Sequence, residues 1–269
     1  MEGITFRDMS LQCDVQQKRA PCGAFVVTGN VDQVLLHRLD FSNVTLAVQV
    51  RALQPTFASP LVVIASSASK ATNNNTMASF RMTESSFQNN VMLIDLWLAE
   101  TGDQTAFVAA GGGAAQMQVS SAYIERCLFV NNRVERISVV RKELSMPFVA
   151  GAVLFRLVDV AVMIDLPSLI ISNCTFHGNS LVNVTSATGA ALSLTIDRAI
   201  DDVLQFRSAR IDSCLFSENR ADLVSAGSHQ LFRTATTIGG IVSCGLSASQ
   251  CLAICCSLAH CISHSSIES

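Results

Sequence analysis

The sequence predicts an all-β solenoid of about six coils with loop excursions, in which short parallel strands stack turn upon turn. Three observations predict it: a phenylalanine motif that recurs along most of the chain, strand-like spacing around that motif, and an apolar composition. The 269 residues are 49% apolar and only 14% charged, against about a quarter charged in an ordinary soluble domain. Such a chain has ample apolar surface to bury, so intrinsic disorder is excluded as a general description. Eighteen basic and 21 acidic side chains leave a net charge of −3, which gives no basic field for nucleic acid. Fourteen Phe stand beside one Trp and one Tyr. Phenylalanine has no polar atom and tolerates a dry interior.

Four segments align on a phenylalanine: Ser85 to Asn90, Cys127 to Asn132, Cys174 to Asn179 and Cys214 to Asn219. All read F-x-x-N, with Phe87, Phe129, Phe176 and Phe216 followed by Asn90, Asn132, Asn179 and Asn219. Two residues before each Phe stands Ser85, Cys127, Cys174 or Cys214; five before stands Met82, Ile124, Ile171 or Ile211. Positions two apart share one face of a strand, whereas the step of three breaks that period and calls for a bend. Its residues, such as Thr83 and Glu84 or Ser172 and Asn173, are polar and suit an exposed corner. The Asn after the Phe suits a second corner, because asparagine tolerates left-handed backbone.

Two weaker copies precede these. Phe6 and Phe41 keep the apolar residue on the amino-terminal side, with Asp8 and Asn43 two positions after the Phe. Later in the copies come small-residue breaks, Gly112 to Ala115, Gly151-Ala152, Gly189 to Ala191 and Gly227-Ser228, the first three leading into strand-like runs. The key phenylalanines are about 35 to 47 residues apart, longer than the roughly 20 to 30 that one coil of strands needs, so each coil carries a surface excursion. Lys70 to Asn75 and Arg133 to Glu143 are assigned to excursions. Identical residues at equal coil positions stack about 4.8 Å apart, giving phenylalanine, Cys/Ser and asparagine ladders.

The pairing of F-x-x-N with G-G-A or G-A plus an aliphatic residue, as in Phe129 to Asn132 with Gly151-Ala152-Val153, resembles the repeats of polymorphic outer-membrane proteins. The resemblance extends to related surface proteins with a right-handed parallel β-helix, the pectin-lyase-like fold, and covers residues 1–233. It implies the coil and is nearly silent on activity, since that fold hosts lyases, hydrolases, epimerases and adhesins alike.

No catalytic residue is assigned. Asp201-Asp202 is the only adjacent Asp pair, and it follows a strand as a solvated turn would. The N-T-D, G-H-G and R-I-K motifs that accompany paired carboxylates in polygalacturonases of this fold are absent. No dense acidic cluster sits beside Lys or Arg for a calcium-dependent lyase. No cofactor is expected. Cys127, Cys174 and Cys214 hold one register and read as small buried hydrophobes whose parallel side chains suit a disulfide poorly. Cys13 and Cys22 flank a polar stretch and would close a loop in an oxidising compartment.

Residues 234–269 form a second region, a cap or a disordered tail. From Thr234 to Ile267 it has no charged side chain and holds five of the ten Cys. A metal site from Cys256, His260, Cys261 and His264 matches no standard zinc spacing, so none is assigned. Membrane contact is expected only if residues 238–262 span, and Ser, Gln and His dilute that stretch. Sequons at Asn43, Asn74, Asn173 and Asn183 are candidate glycosylation sites on a secretory route. No leader opens the chain and the pattern starts mid-unit, so it reads as a segment, cut at its amino terminus, of a larger extracellular or cell-surface protein. The expected role is structural or adhesive, presenting contacts to carbohydrate or to surface proteins. The rival is a carbohydrate-active enzyme of the same fold, and a third reading is a fragment without function of its own.

Overall fold

The computed structural model describes residues 1–15, 21–30, 33–50, 57–66, 79–96, 110–119, 121–137, 148–158, 168–184, 189–197, 208–223 and 242–244. Among the described residues there is no helix, and the strands assemble into separate parallel sheets. Within each sheet a strand pairs with its equivalents from the preceding and following repeats, and every repeat visits the sheets in the same order. This is the connectivity of a β-helix or solenoid. Each strand is buried on one face by its own repeat and its backbone is satisfied by the neighbouring ones.

The phenylalanine sheet is made of three-residue strands, Thr5–Arg7, Asp40–Ser42, Ser86–Gln88, Leu128–Val130, Thr175–His177 and Leu215–Ser217. The middle residue of each is the motif phenylalanine. Before it comes a leading sheet, Gln33–His37, Ser79–Thr83, Ser121–Glu125, Ser168–Ser172 and Ser208–Asp212. After it comes a trailing sheet, Ser10–Val15, Thr45–Val50, Val91–Leu96, Arg133–Arg136, Ser180–Val184 and Arg220–Leu223. A short sheet, Phe57–Ala58, Ala110–Gly112 and Phe148–Ala150, follows. A closing sheet completes the circuit with Phe25–Asn30, Leu61–Ser66, Ala115–Val119, Val153–Val158, Leu192–Asp197 and Val242–Cys244.

Both polar corners exist, and each turns on one left-handed residue. Between the leading and phenylalanine sheets stand Arg38, Glu84, Arg126, Asn173 and Ser213, with φ from 51° to 53°. Between the phenylalanine and trailing sheets stand Asp8, Asn43, Asn89, Asn131, Gly178 and Glu218, with φ from 51° to 63°. Left-handed backbone costs an ordinary residue about 1–2 kcal/mol. Here it keeps the corner N–H in the ladder: Glu84 donates to the Glu125 carbonyl at 3.1 Å and Asn131 to that of His177 at 2.8 Å.

The second corner differs from the sequence expectation. The turning residue lies two places after the Phe, whereas the motif asparagine at three places after it points inward and is buried at Asn90, Asn132 and Asn179. Asp8 and Asn43 in the early repeats are therefore turning residues, and their ladder position is held by Met9 and Val44.

Gly112 to Ala115 and Gly151-Ala152 join the short sheet to the closing sheet, Gly189 bridges to Ala150 at the same place, and Gly227-Ser228 lies outside the described residues. A Cβ on Gly113 would collide with the Gly151 carbonyl, and one on Gly151 with the Ala190 carbonyl. The same atoms would come within 3.0 Å of the Arg133 nitrogen and 3.1 Å of the Ser180 nitrogen. Those nitrogens directly follow Asn132 and Asn179, so the two halves of the repeat motif pack against each other.

The stretch assigned to an excursion at Arg133 to Glu143 begins with a strand, Arg133–Arg136, in register with Val91 to Ile94. Lys70 to Asn75 lies outside the described residues. The tail contributes one described strand, Val242–Cys244, which pairs with Leu192–Leu194 on the edge of the closing sheet.

Candidate functional site

The phenylalanines lie in direct register, Phe6 with Phe41, Phe41 with Phe87, Phe87 with Phe129, Phe129 with Phe176 and Phe176 with Phe216. Their rings stack with centroids 4.6, 4.9, 5.2, 4.8 and 4.8 Å apart and interplanar angles no larger than 14°. The strand spacing dictates this geometry, since equal rotamers on paired strands repeat at the interstrand distance.

Beside the ring stack runs a column of amides. Asn132 Nδ2 donates to the Phe87 carbonyl at 3.0 Å and to Asn179 Oδ1 at 2.9 Å. Its own Oδ1 accepts from Asn90 Nδ2 at 2.9 Å and from the Asn90 backbone N–H at 3.3 Å. Asn179 repeats the pattern with Phe129 and Asn219. A buried primary amide needs two acceptors and two donors; for Asn132, Asn179 and Asn90 supply three of the four partners and the Phe87 carbonyl supplies the fourth.

The third column is Ser85, Cys127, Cys174 and Cys214. Each side chain donates to the carbonyl two residues earlier in its own repeat, from Ser85 Oγ at 3.0 Å and from the three sulfurs at 3.4, 3.2 and 3.3 Å. Ser85 Oγ and Cys174 Sγ also accept the N–H of Leu39 and Cys127 from the preceding repeat. The three cysteines are free and buried. The Cys174 thiol is pushed up to about 12, chiefly by its contact with Cys127 and then by burial, against an opposing effect of Cys214. Cys214 is pushed up as well, by Cys174 and by burial. Neutral thiols of this kind are poor nucleophiles and poor metal ligands.

Outside, the leading sheet presents a row in register: Leu35, Arg81, Tyr123, Ile170 and Arg210. Leu35 is 49% exposed, and the Arg81 guanidinium sits 4.7 Å from the centre of the Tyr123 ring. Along the adjoining corner Glu84 bridges two arginines, Arg38 and Arg126, each at 3.1 Å. The hydrogen bond from Arg38 holds the Glu84 carboxyl below the usual carboxylate range, with Arg126 and His37 adding to it against partial desolvation. Two histidines contact hydroxyls on the next strand, His37 with Thr83 at 2.8 Å and His177 with Ser217 at 2.9 Å.

Residue type alone does not mark Arg136 as an inward residue. It is 5% exposed in the register of Ile94, an inward position of the trailing sheet, and burial lowers its pKa. Only the period of two continued past Val134 could have placed it inside.

Cys13 and Cys22 are bonded to each other, with Cα atoms 6.4 Å apart. Cys13 belongs to a trailing-sheet strand and Cys22 bridges to Ala58, so the pair ties two sheets of the first repeat together. Asn43, Asn173 and Asn183 are exposed. Asn74, Asp201-Asp202 and the residues Cys256, His260, Cys261 and His264 lie outside the described residues. Among the described residues no group of three or more His, Cys, Asp or Glu is placed to hold a metal ion, and no helix is long and apolar enough to cross a membrane. The stretch 238–262 lies mostly outside them. No family model, curated protein or solved structure matches the chain.

Proposed function

We propose that residues 1–233 form a right-handed parallel β-helix of about six coils, pectin-lyase-like in handedness, that acts as a non-catalytic structural and adhesive segment of a larger extracellular or cell-surface protein. The observation that carries this reading is the outer row of the leading sheet. Leu35, Arg81, Tyr123, Ile170 and Arg210 recur at the interstrand spacing on a sheet whose other face is locked by the stacked core. A flat row of aromatic, aliphatic and cationic side chains on a rigid support suits an extended partner, carbohydrate or protein, because little side-chain or backbone ordering is left to oppose binding. The Cys13 to Cys22 bond supports an oxidising compartment.

The test is incubation of the full chain with an array of uronate and neutral glycans, scoring retention and product release together. Retention without product, weakened severalfold by Tyr123→Ala and Arg81→Ala, is the expected result. Release of shortened or unsaturated sugars would replace this reading with that of a carbohydrate-active enzyme of the same fold.

A further inference from the structure

The ten asparagines within the described residues divide sharply by position. Asn90, Asn132 and Asn179 are buried in the amide column, and Asn219 continues it half-buried. Asn43, Asn89, Asn131, Asn173 and Asn183 are exposed and have left-handed backbone, with φ from 52° to 57°. Asn30 is set aside, since it ends a strand and lies outside both groups. Every sequon in the described part falls in the exposed group: Asn43-Val44-Thr45, Asn173-Cys174-Thr175 and Asn183-Val184-Thr185. None of the column asparagines carries one.

We infer that Asn43, Asn173 and Asn183 are N-glycosylation acceptors. The transfer needs a lipid-pyrophosphate oligosaccharide as donor. Its anomeric C–O bond breaks, a bond from that carbon to Asn Nδ2 forms, Nδ2 loses one proton and the lipid pyrophosphate leaves. Attachment precedes or accompanies folding, so the folded state must leave room for a bulky polar group at the modified nitrogen.

Each site meets that demand in a different way. Asn173 stands at the corner between the leading and phenylalanine sheets, where Glu84 and Arg126 already project into solvent. Asn43 stands at the next corner, and its Nδ2 donates to Asp8 Oδ1 at 2.9 Å, which uses one of its two hydrogens and leaves the other to be replaced. Asn183 is the extra residue of a bulge in the trailing sheet, where pairing passes from Val182 with Asp222 to Val184 with Leu223. A bulge leaves its extra residue out of the ladder, so a glycan there costs no strand pairing. A glycan on Asn132 would remove a donor from the amide column and force a sugar against the Phe87 carbonyl or Asn179 Oδ1. The Cys13 to Cys22 bond is compatible with the kind of oxidising compartment where the transfer occurs. The glycans would stand on both sides of the phenylalanine sheet and leave the Tyr123 row bordered by one of them.

The full chain, secreted from a eukaryotic host behind a cleavable leader, is digested after amidase release in water enriched in the heavy oxygen isotope, which marks each formerly glycosylated Asn as labelled Asp. Label at positions 43, 173 and 183, with none at 90, 132, 179 or 219, is the expected result. Thr45→Val and Thr175→Val keep the asparagine, its backbone and the strand shape while removing the hydroxyl that the transferase reads, and each is expected to abolish one site and spare the others. Translation into rough microsomes reads the same sites without requiring secretion. An imported chain without label at Asn43 and Asn173 would overturn the inference. Such a result would leave the glycan-array outcome untouched, since adhesion by the Tyr123 row does not depend on it.

Discussion

Asn132 and Asn179 are joined twice through one oxygen: Asn179 Oδ1 accepts both the side-chain Nδ2 of Asn132, at 2.9 Å, and its backbone N–H, at 3.1 Å. The chain positions are 47 residues apart, so this contact reports the register of two whole repeats. Removing it strands donors that water cannot reach. Asn132→Leu is expected to lower stability by about 2–4 kcal/mol, because each unsatisfied buried group costs about 1–3 kcal/mol. Urea unfolding followed by far-ultraviolet circular dichroism measures it, and a loss below that of an exposed control such as Asn131→Ser would contradict the role given to the amide.

The ring stack predicts a position dependence. Phe129 is fully buried between two ladder rings, whereas Phe6 has one ladder neighbour, Phe41, and a looser contact with Phe25 at 5.8 Å, and is only half-buried. Phe129→Ala should cost about 3–5 kcal/mol, within the range for a large buried aromatic, and Phe6→Ala clearly less. Equal losses in paired denaturation curves would mean that full burial between two ladder rings adds nothing.

Two glycines should behave in opposite ways. Gly151→Ala drives a Cβ into the Ala190 carbonyl, a backbone atom that cannot step aside, and should unfold the chain or cost more than about 2 kcal/mol. Gly178 has φ of 63° and its Cβ position meets the flexible end of the Asn131 side chain. Gly178→Asn copies the residue found at Asn43, Asn89 and Asn131 and should stay within about 1 kcal/mol of the parent. Thermal melting of the two variants side by side distinguishes a steric requirement from a conformational one.

The Cys174 thiol should resist alkylation by iodoacetamide at pH 8 in the folded chain and react once urea unfolds it, because its pKa is pushed up to about 12. The folded state holds this proton more tightly than the unfolded state. The resulting stability is present below the ordinary thiol range, near 8.5, and is lost as pH rises from there toward 12. Cys174→Ser should fold with a stability within about 1 kcal/mol of the parent, since Ser85 fills the same register with the same donor pattern. It should also weaken the alkaline loss. An alkaline profile unchanged in that variant and in Cys214→Ser would assign the loss to other groups.

Cutting the link between Cys13 and Cys22, nine positions apart, should destabilise the first repeat by about 2–3 kcal/mol through the regained freedom of the unfolded loop. Hydrogen exchange is the suitable readout for Cys13→Ser with Cys22→Ser. Protection should fall in Ser10–Val15 and Phe25–Asn30 while Leu128–Val130 keeps its own, because a repeat interacts mainly with its neighbours.

Much of the architecture was legible because three columns use chemically distinctive residues. Phe, Cys or Ser, and Asn recur at fixed offsets, and a parallel ladder is the simplest way to bring such positions together. The corner after the Phe was less legible. Asn89-Asn90 and Asn131-Asn132 place two asparagines where one turns and one is buried, and residue type alone does not tell them apart. Gly178 and Glu218 at the turning position hid the pattern further. The small-residue breaks were visible, but their cause was not: Gly113 and Gly151 are small because a neighbouring carbonyl occupies the space of a side chain, a contact between segments distant in sequence. The outer row around Tyr123 was invisible for a related reason, since its members share no residue type and are united only by strand register.

The amide column also has a head and a tail. Every ladder carbonyl faces the preceding repeat, and the first of them, on Asn90, is closed by nothing more than the peptide nitrogen of Val44. Amino-terminal of Asn90 the position is held by Val44 and Met9, so the column begins with an acceptor that needs no further amide before it. Growth in the other direction is conditional, because the next layer added beyond Asn219 must again offer an acceptor at this place. Insertion or loss of whole layers is thus easier at one pole of the stack than at the other.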